Sequence, residues 1–294
     1  MIKHIIAILM VASLLCGCEK PLMLEEEGAE DVAATEENLK VSVYAIEQIP
    51  FSSAMRGVEA AQLCSHLNFA VYDMAGNKLK YANQMVGDED FGTAEFKLTE
   101  GTYQLVVVGH SSESNPTMSH IEKIQFTNKK GYSDTFLYYT TLNVADKKQD
   151  MNVSLHRIVS LCRLMVTDAI PEGVATMKFR YKGGSGHFNG LTGYGVPMTK
   201  GQESTFEVEP GQTNVSFDLY TFLPTDEGEI HVTVVGYDSD ENVQLEQEYD
   251  FPMKTNYITK WTGELFNGFT PTSSQSMTSS VTIDGEWAGE IEIP

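Results

Sequence analysis

The chain has 294 residues and carries 41 acidic against 20 basic side chains, a formal net charge of -21. A surplus of that size leaves no basic patch for nucleic acid or anionic lipid, so neither is expected as a partner through such a patch. Of the four cysteines, Cys16 and Cys18 sit at the N-terminus, and Cys64 and Cys162 alone do not make a disulfide framework.

The chain opens like an export signal. Lys3 precedes an almost wholly apolar run over 5–15, too short to span a bilayer comfortably, and small residues follow it. The exit, Leu15-Cys16-Gly17-Cys18, looks like a bacterial lipobox. Residues 1–17 would then be a lipoprotein signal peptide and Cys18 the first mature residue. Its thiol would carry the lipid as a thioether to diacylglycerol. An ordinary secretory signal with two incidental cysteines is the competing reading. Glu, Ala and Asp dominate residues 24–38 without an apolar period, so 18–38 reads as an acylated, disordered tether. Some twenty such residues reach roughly 25 Å on average and at most about 70 Å.

From Leu39 the period is two. Residues 39–46 alternate as a half-buried strand, and 50–62 break the pattern with room for one helical turn. Strands at 67–72 and 78–85 flank the turn cluster Asp73-Met74-Ala75-Gly76-Asn77, which predicts a hairpin. Another strand is expected at 93–98. The continuous apolar run 103–108 predicts a central strand buried on both faces. Residues 110–119 read as a polar loop, with further strands at 121–126, 135–142 and 151–159. A domain boundary is placed near Leu164, giving domains at 39–164 and 165–294. The second half repeats the habit at 175–181, 205–208, 215–222, 229–237, 244–251 and 257–265, with a glycine-rich loop through Gly183-Gly184-Ser185-Gly186. Short strands at this spacing predict an all-β chain of two β-sandwiches.

Patterns for catalysis or ligand binding are sparse. The seven histidines show no ligand spacing, and His110 and His120, flanking a loop, read as surface residues. The glycine loop opens no helix and lacks the lysine of a phosphate loop. Asp238-Ser239-Asp240-Glu241-Asn242 lacks the glycine and terminal glutamate of a calcium loop, so an acidic hairpin turn is expected there. Nothing supplies a nucleophile or a paired acid and base, so no enzyme, cofactor or metal is expected. Exposed Trp261 or Trp287 could bind sugar. Cys64 and Cys162 lie in strand-like contexts and read as buried free thiols, with a disulfide left open.

The positive feature lies at the end of the chain. A linker at 269–280 is followed by strand-grade sequence in which Val281, Ile283, Trp287, Ile291 and Ile293 recur with period two. A terminal strand behind a loose segment, 276–294, can donate itself to a neighbour's sheet edge, where main-chain bonds and alternate side chains hold it. It can equally be the last strand of its own domain. On the donor reading, Trp287, Ile291 and Ile293 share one face and Glu290 and Glu292 face solvent.

Several phrases, taken together and in order, resemble one family. They include Leu67-Asn68-Phe69-Ala70-Val71-Tyr72-Asp73, Glu100-Gly101-Thr102-Tyr103-Gln104-Leu105-Val106, Leu155-His156-Arg157-Ile158-Val159, Thr221-Phe222-Leu223-Pro224 and Asn256-Tyr257-Ile258-Thr259. The set is similar to the FimB/Mfa-type fimbrial subunits of Bacteroidales, lipoproteins that include minor anchor pilins, over about 39–266. The resemblance implies two tandem transthyretin-like β-sandwich domains and a pilus built by donor-strand exchange. It also implies a major fimbrial stalk pilin as partner and a place at the outer membrane through the N-terminal lipid. Stalk subunits of such pili lose an N-terminal strand after an arginine. Arg56, before Gly57, is the arginine candidate here. Cutting there would free the body from Cys18, so an anchor should keep that bond. The expectation is a lipid-anchored fimbrial anchor or minor subunit; a tip adhesin or carbohydrate-binding surface protein is the alternative.

Overall fold

The computed structural model describes residues 36–47, 57–58, 60–266, 280–282 and 287–293. Runs in which every second residue is apolar can bury one face only, and the chain meets that demand with strands. In the first half these are β1 (Leu39–Glu47), β2 (Gly57–Val58), β3 (His66–Tyr72), β4 (Lys78–Met85) and β5 (Thr93–Phe96), then β6 (Gly101–His110), β7 (Thr117–His120), β8 (Lys123–Gln125), β9 (Thr135–Val144) and β10 (Gln149–Arg157). One helical turn, α1 (Ala60–Leu63), and a 3-10 turn at Asn128–Lys130 interrupt them.

β2-β1-β10-β9-β6-β3-β4 form one sheet in that order, with β5 also on β1. β10 meets β9 only at His156–Leu137 and Arg157–Phe136, so the sheet turns a corner there and folds over itself. Leu39, Val41 and Ile46 of β1 and Val153 of β10 then close a core against Phe69, Val107 and Phe136 from the other layer. β6 is central, as its unbroken apolar run predicts, and its residues from Gln104 to His110 are all buried. The hairpin of β3 and β4 is antiparallel with a shift at Val71 and Tyr72.

β1 departs from the expected clean alternation. A bulge between Val43 and Ala45 resets its faces, leaving Tyr44 63% exposed while Ala45 and Ile46 both turn inward. The strand runs parallel to β10 along its whole length. Its other edge takes β5 at residues 39–42 and β2 at Ile46 and Glu47.

The second half continues with β11 (Ser160–Val166), β12 (Thr176–Lys182), β13 (His187–Phe188), β14 (Gln202–Glu207) and β15 (Val215–Thr221). β16 (Glu227–Tyr237), β17 (Val243–Lys254), β18 (Tyr257–Gly263), β19 (Ser280–Thr282) and β20 (Gly289–Ile293) complete it. Sheets β15-β11-β18-β20-β19 and β14-β12-β16-β17 stack on a second core that contains Phe179, Phe217, Val232 and Trp261. Pairing passes from the first sandwich to the second between Arg157 and Ser160. Leu164 lies inside β11, which pairs with β15 and β18.

A third core joins the sandwiches, and both belong to one compact unit. Tyr72, Val106 and Ile124 from the first half meet Leu161, Phe188, Phe222 and Trp287 from the second. Part of this junction is a small sheet, β13-β8-β7. β7 occupies part of the stretch read as a loop, because buried Met118 gives that polar run one apolar foothold. The glycine loop folds back over Thr221. A Cβ on Gly184 would collide with the Thr221 side chain, and Gly183 sits at φ 98°, so glycine is required at both positions.

Candidate functional site

The C-terminal strand lies within its own chain. β20 runs parallel to β18, from Tyr257 opposite Gly289 to Trp261 opposite Ile293, and β19 covers its outer edge at Ser280, Val281 and Thr282. Ile293 is buried in the second core and Ile291 packs against it. On the opposite face Lys260 Nζ lies 3.1 Å from Glu290 and 3.5 Å from Glu292. Lys260's ammonium is held above its ordinary range by these carboxylates, Glu290 first. The two glutamates therefore do not simply face solvent: a lysine on the neighbouring strand clips both.

Trp287 precedes β20 and belongs to a different core from Ile291 and Ile293. It docks at the junction between the sandwiches, where Arg157 is the hub. The guanidinium donates to both Asp134 oxygens, Nε at 2.7 Å and Nη2 at 2.8 Å, and Nη1 donates to Asn256 Oδ1 at 3.2 Å. Its carbon stands 4.0 Å from the Trp287 ring centre and 4.9 Å from that of Phe136. Burial pushes the Asp134 carboxyl up, and Arg157 opposes that by hydrogen bond and charge. Asn256, in left-handed backbone at φ 63°, closes the arrangement: its N–H donates to Val159 O and its carbonyl accepts from Ala288 N–H. One arginine at the end of β10 thus touches the first sandwich, the turn before β18 and the start of the C-terminal segment.

Trp261 and Trp287 are only 8% and 7% exposed. Neither presents a free sugar-stacking face, because each completes a core. His110 is likewise no surface residue. It is fully buried, donates from Nε2 to Asn68 Oδ1 at 2.8 Å, accepts Ser112 N–H at Nδ1, and stacks on His66 at 5.0 Å. Burial pulls its pKa down to about 3, with His66 adding to the shift. Cys64 and Cys162 are buried and not joined in a disulfide, and burial pushes the Cys64 thiol up to about 12. Asp238 accepts Asp240 N–H, Asn242 N–H and the amides of Asn242 and Gln244, which makes the acidic stretch a self-satisfied turn. Among the described residues no cluster of His, Cys, Asp or Glu could hold a metal ion, and no helix is long and apolar enough to cross a membrane.

Cys18, Arg56 and Ile283 lie outside the described residues, as do the signal, most of the tether and residues 267–279. Gly57, next to Arg56, pairs with Glu47 in the β1–β2 ladder. Arg157, Asp134, Asn256 and Lys260 were not singled out from sequence. The available signal was an arginine at 157, on the face that Val153 and Leu155 bury in an alternating strand.

The sequence profile of the fimbrillin-A associated anchor proteins Mfa1 and Mfa2 matches residues 35–290. The chain belongs to this family. That membership covers both sandwiches and reaches into β20, and it places the chain with fimbrillin-associated anchor proteins. Solved structures with similar folds include a provisionally named adhesin from Bacteroides ovatus, 17% identical, covering 81% of this chain and 88% of that one at TM-score 0.47. Another from Bacteroides thetaiotaomicron is 13% identical over 74% and 81% of the two chains at TM-score 0.42. A provisionally named cell adhesion protein from Bacteroides eggerthii is 9% identical over 90% and 99% at TM-score 0.41. A search of curated proteins finds no match.

Proposed function

We propose that this family member is a non-catalytic outer-membrane lipoprotein that anchors a fimbria, or serves it as a minor subunit, through donor-strand exchange. The family match over residues 35–290 carries the reading. Cys18 holds the lipid, residues 18–38 are the tether, and the two domains divide where pairing passes from one sandwich to the other, between Arg157 and Ser160, a few residues before the expected Leu164. The bond after Arg56 stays intact, so the body remains joined to its acyl chain. β1 supports this, since its pairing with β10 on one edge and with β5 and β2 on the other suits a strand that is retained. The segment containing Val281, Ile283, Trp287, Ile291 and Ile293 pairs with the adjoining pilin. Its described part is strand-forming, with β20 held between β18 and β19 within this chain, which supports a segment able to pair with a sheet.

Mass spectrometry of the mature N-terminus in purified fimbriae tests the anchor. An acylated Cys18 is expected, and a free N-terminus at Gly57 would refute it. Deleting residues 284–294 tests the donor. A folded protein that sheds fimbriae into the medium is expected; retained fimbriae with an unchanged melting temperature remove the donor role. A large fall in melting temperature instead assigns the segment to its own domain.

A further inference from the structure

We propose that an open groove at the side of the second sandwich is a binding site for a neutral oligosaccharide. The groove has a volume of about 680 Å³, within the range of small-molecule clefts, about 300–1,000 Å³. It lies where the 3-10 turn of the first half faces β14 and β15, the edge strands of the second sandwich's two sheets. This site is independent of the anchor reading and shares no residue with the C-terminal segment.

Its walls combine flat rings with short polar groups. Tyr132, Phe206 and Tyr220 are half-buried and line it. Tyr132 is fixed in place. Its hydroxyl donates to Asn128 Oδ1 at 2.5 Å, and its ring lies so close to Gly186 that a Cβ there would collide with it. Phe206 is held edge-on by Phe217 and Phe179, at 5.2 and 5.6 Å. Rings set in advance offer stacking faces at little entropic cost, and the C–H face of a pyranose is the natural complement. Around them stand the Asn128 amide, the Thr205 hydroxyl and the Glu203 carboxylate, a mixture of donors and acceptors that suits hydroxyl groups.

Charge narrows the ligand further. Glu113, Glu203 and Asp218 face Lys129 and Lys130, three negative groups against two positive. Asp218 is bound on both oxygens by Arg163, and Glu203 is paired with Arg180 and Lys178. A field so nearly balanced gives an anionic sugar or phosphate no advantage. An extended peptide is also disfavoured. The Glu203 N–H, which a strand added to β14 would need, already donates to Asn128 Oδ1 at 3.0 Å.

The test uses the detergent-solubilised full chain on an array of neutral, sialylated and sulfated oligosaccharides, beside a synthetic peptide of residues 280–294. Retention of at least one neutral oligosaccharide is expected, and titration should show it weakened about tenfold or more by Thr205→Arg. Thr205 is exposed, so that variant should keep the parent melting temperature. Tyr132→Ala should weaken the same ligand and serves as the second variant if arginine disturbs β14. Binding that survives both changes would overturn the site. So would retention of anionic glycans alone, of the peptide alone, or of nothing at millimolar concentration.

Discussion

The two sandwiches take in the two ends of the chain in the same way but hold them with unequal strength. Each inserts a terminal strand parallel to an interior one, β1 beside β10 and β20 beside β18. β1 has partners on both edges and puts Leu39, Val41 and Ile46 into the core at 1% exposure or less. At about 1.5–3 kcal/mol each, those three side chains stabilise the strand by roughly 5–9 kcal/mol before ordering costs. β20 also has partners on both edges, β18 and β19, but it is shorter, and its own contribution to the core is Ile293 with part of Ile291. Beyond its ladders, the rest of its side-chain hold comes from Trp287 on Arg157 and from a lysine clip. The N-terminal strand is built into its sandwich, whereas the C-terminal one is fastened at a few points.

The largest expected effect tests whether the fastening is shared. Arg157→Ala removes a buried guanidinium and leaves the half-buried Asp134 without its partner, and should cost about 3–5 kcal/mol in denaturant unfolding. Because Trp287 rests on Arg157, its fluorescence should shift as well. A loss under about 1 kcal/mol would mean that the junction does not depend on this hub.

A paired truncation sharpens the contrast directly. Ile46→Ala should cost about 3–4 kcal/mol, within the span for buried isoleucine, and Ile293→Ala about 2 kcal/mol, the low end of that span, because its five-residue strand can relax around the gap. Equal losses would break the comparison.

Acid should separate the halves next. His110 is held neutral in the fold with a pKa of about 3 against an ordinary 6.5. The unfolded chain takes up that proton first, so the contribution is whole above about pH 6.5 and falls as pH drops toward 3. At pH 5 the loss is about 2 kcal/mol. His156, also in the first sandwich, is shifted the same way by burial. In the second half the exposed His231 is raised by Asp250, the opposite direction, while His187 is lowered by burial and by Lys123, so the contrast rests on the fully buried His110. Melting curves at pH 7.5 and 5 should show His110→Gln less acid-sensitive than the parent. An equal shift in both proteins would assign the sensitivity elsewhere.

The smallest effect belongs to the clip. Lys260→Gln should cost less than about 1 kcal/mol, since its ammonium is about a third exposed. Hydrogen exchange of β20 amides should nonetheless quicken. Unchanged exchange would mean that Ile293 alone secures the strand.

Most of the sandwich architecture was legible because period two is a local property. The runs around Phe69, Val107, Phe179 and Val234 announce strands without reference to anything distant. Pairing partners are another matter, since two parallel strands need a long crossover that leaves no local mark. Nothing near Leu39 indicates that β1 will lie beside β10 rather than form a hairpin. The bulge that turns Tyr44 outward is also silent in an alternating string. Trp261 and Trp287 are ambiguous for a different reason: a large ring is as suited to a core as to a ligand, and only tertiary packing decides. For the candidate site, the final apolar residues were visible as strand-grade sequence. Their two separate destinations, and the arginine that receives Trp287, were not.

The pairing of β1 has a mechanical consequence. A pull on the chain upstream of Leu39 acts along the strand axis, while the ladder bonds to β10 and β5 lie across it. Under such a load the rungs are sheared together and must fail as a group, instead of opening one after another like a zipper. Peeling would have to begin at Glu47, the far end, where β2 and β10 both hold the strand. Whatever tugs on the N-terminus therefore meets the full length of β1 at once.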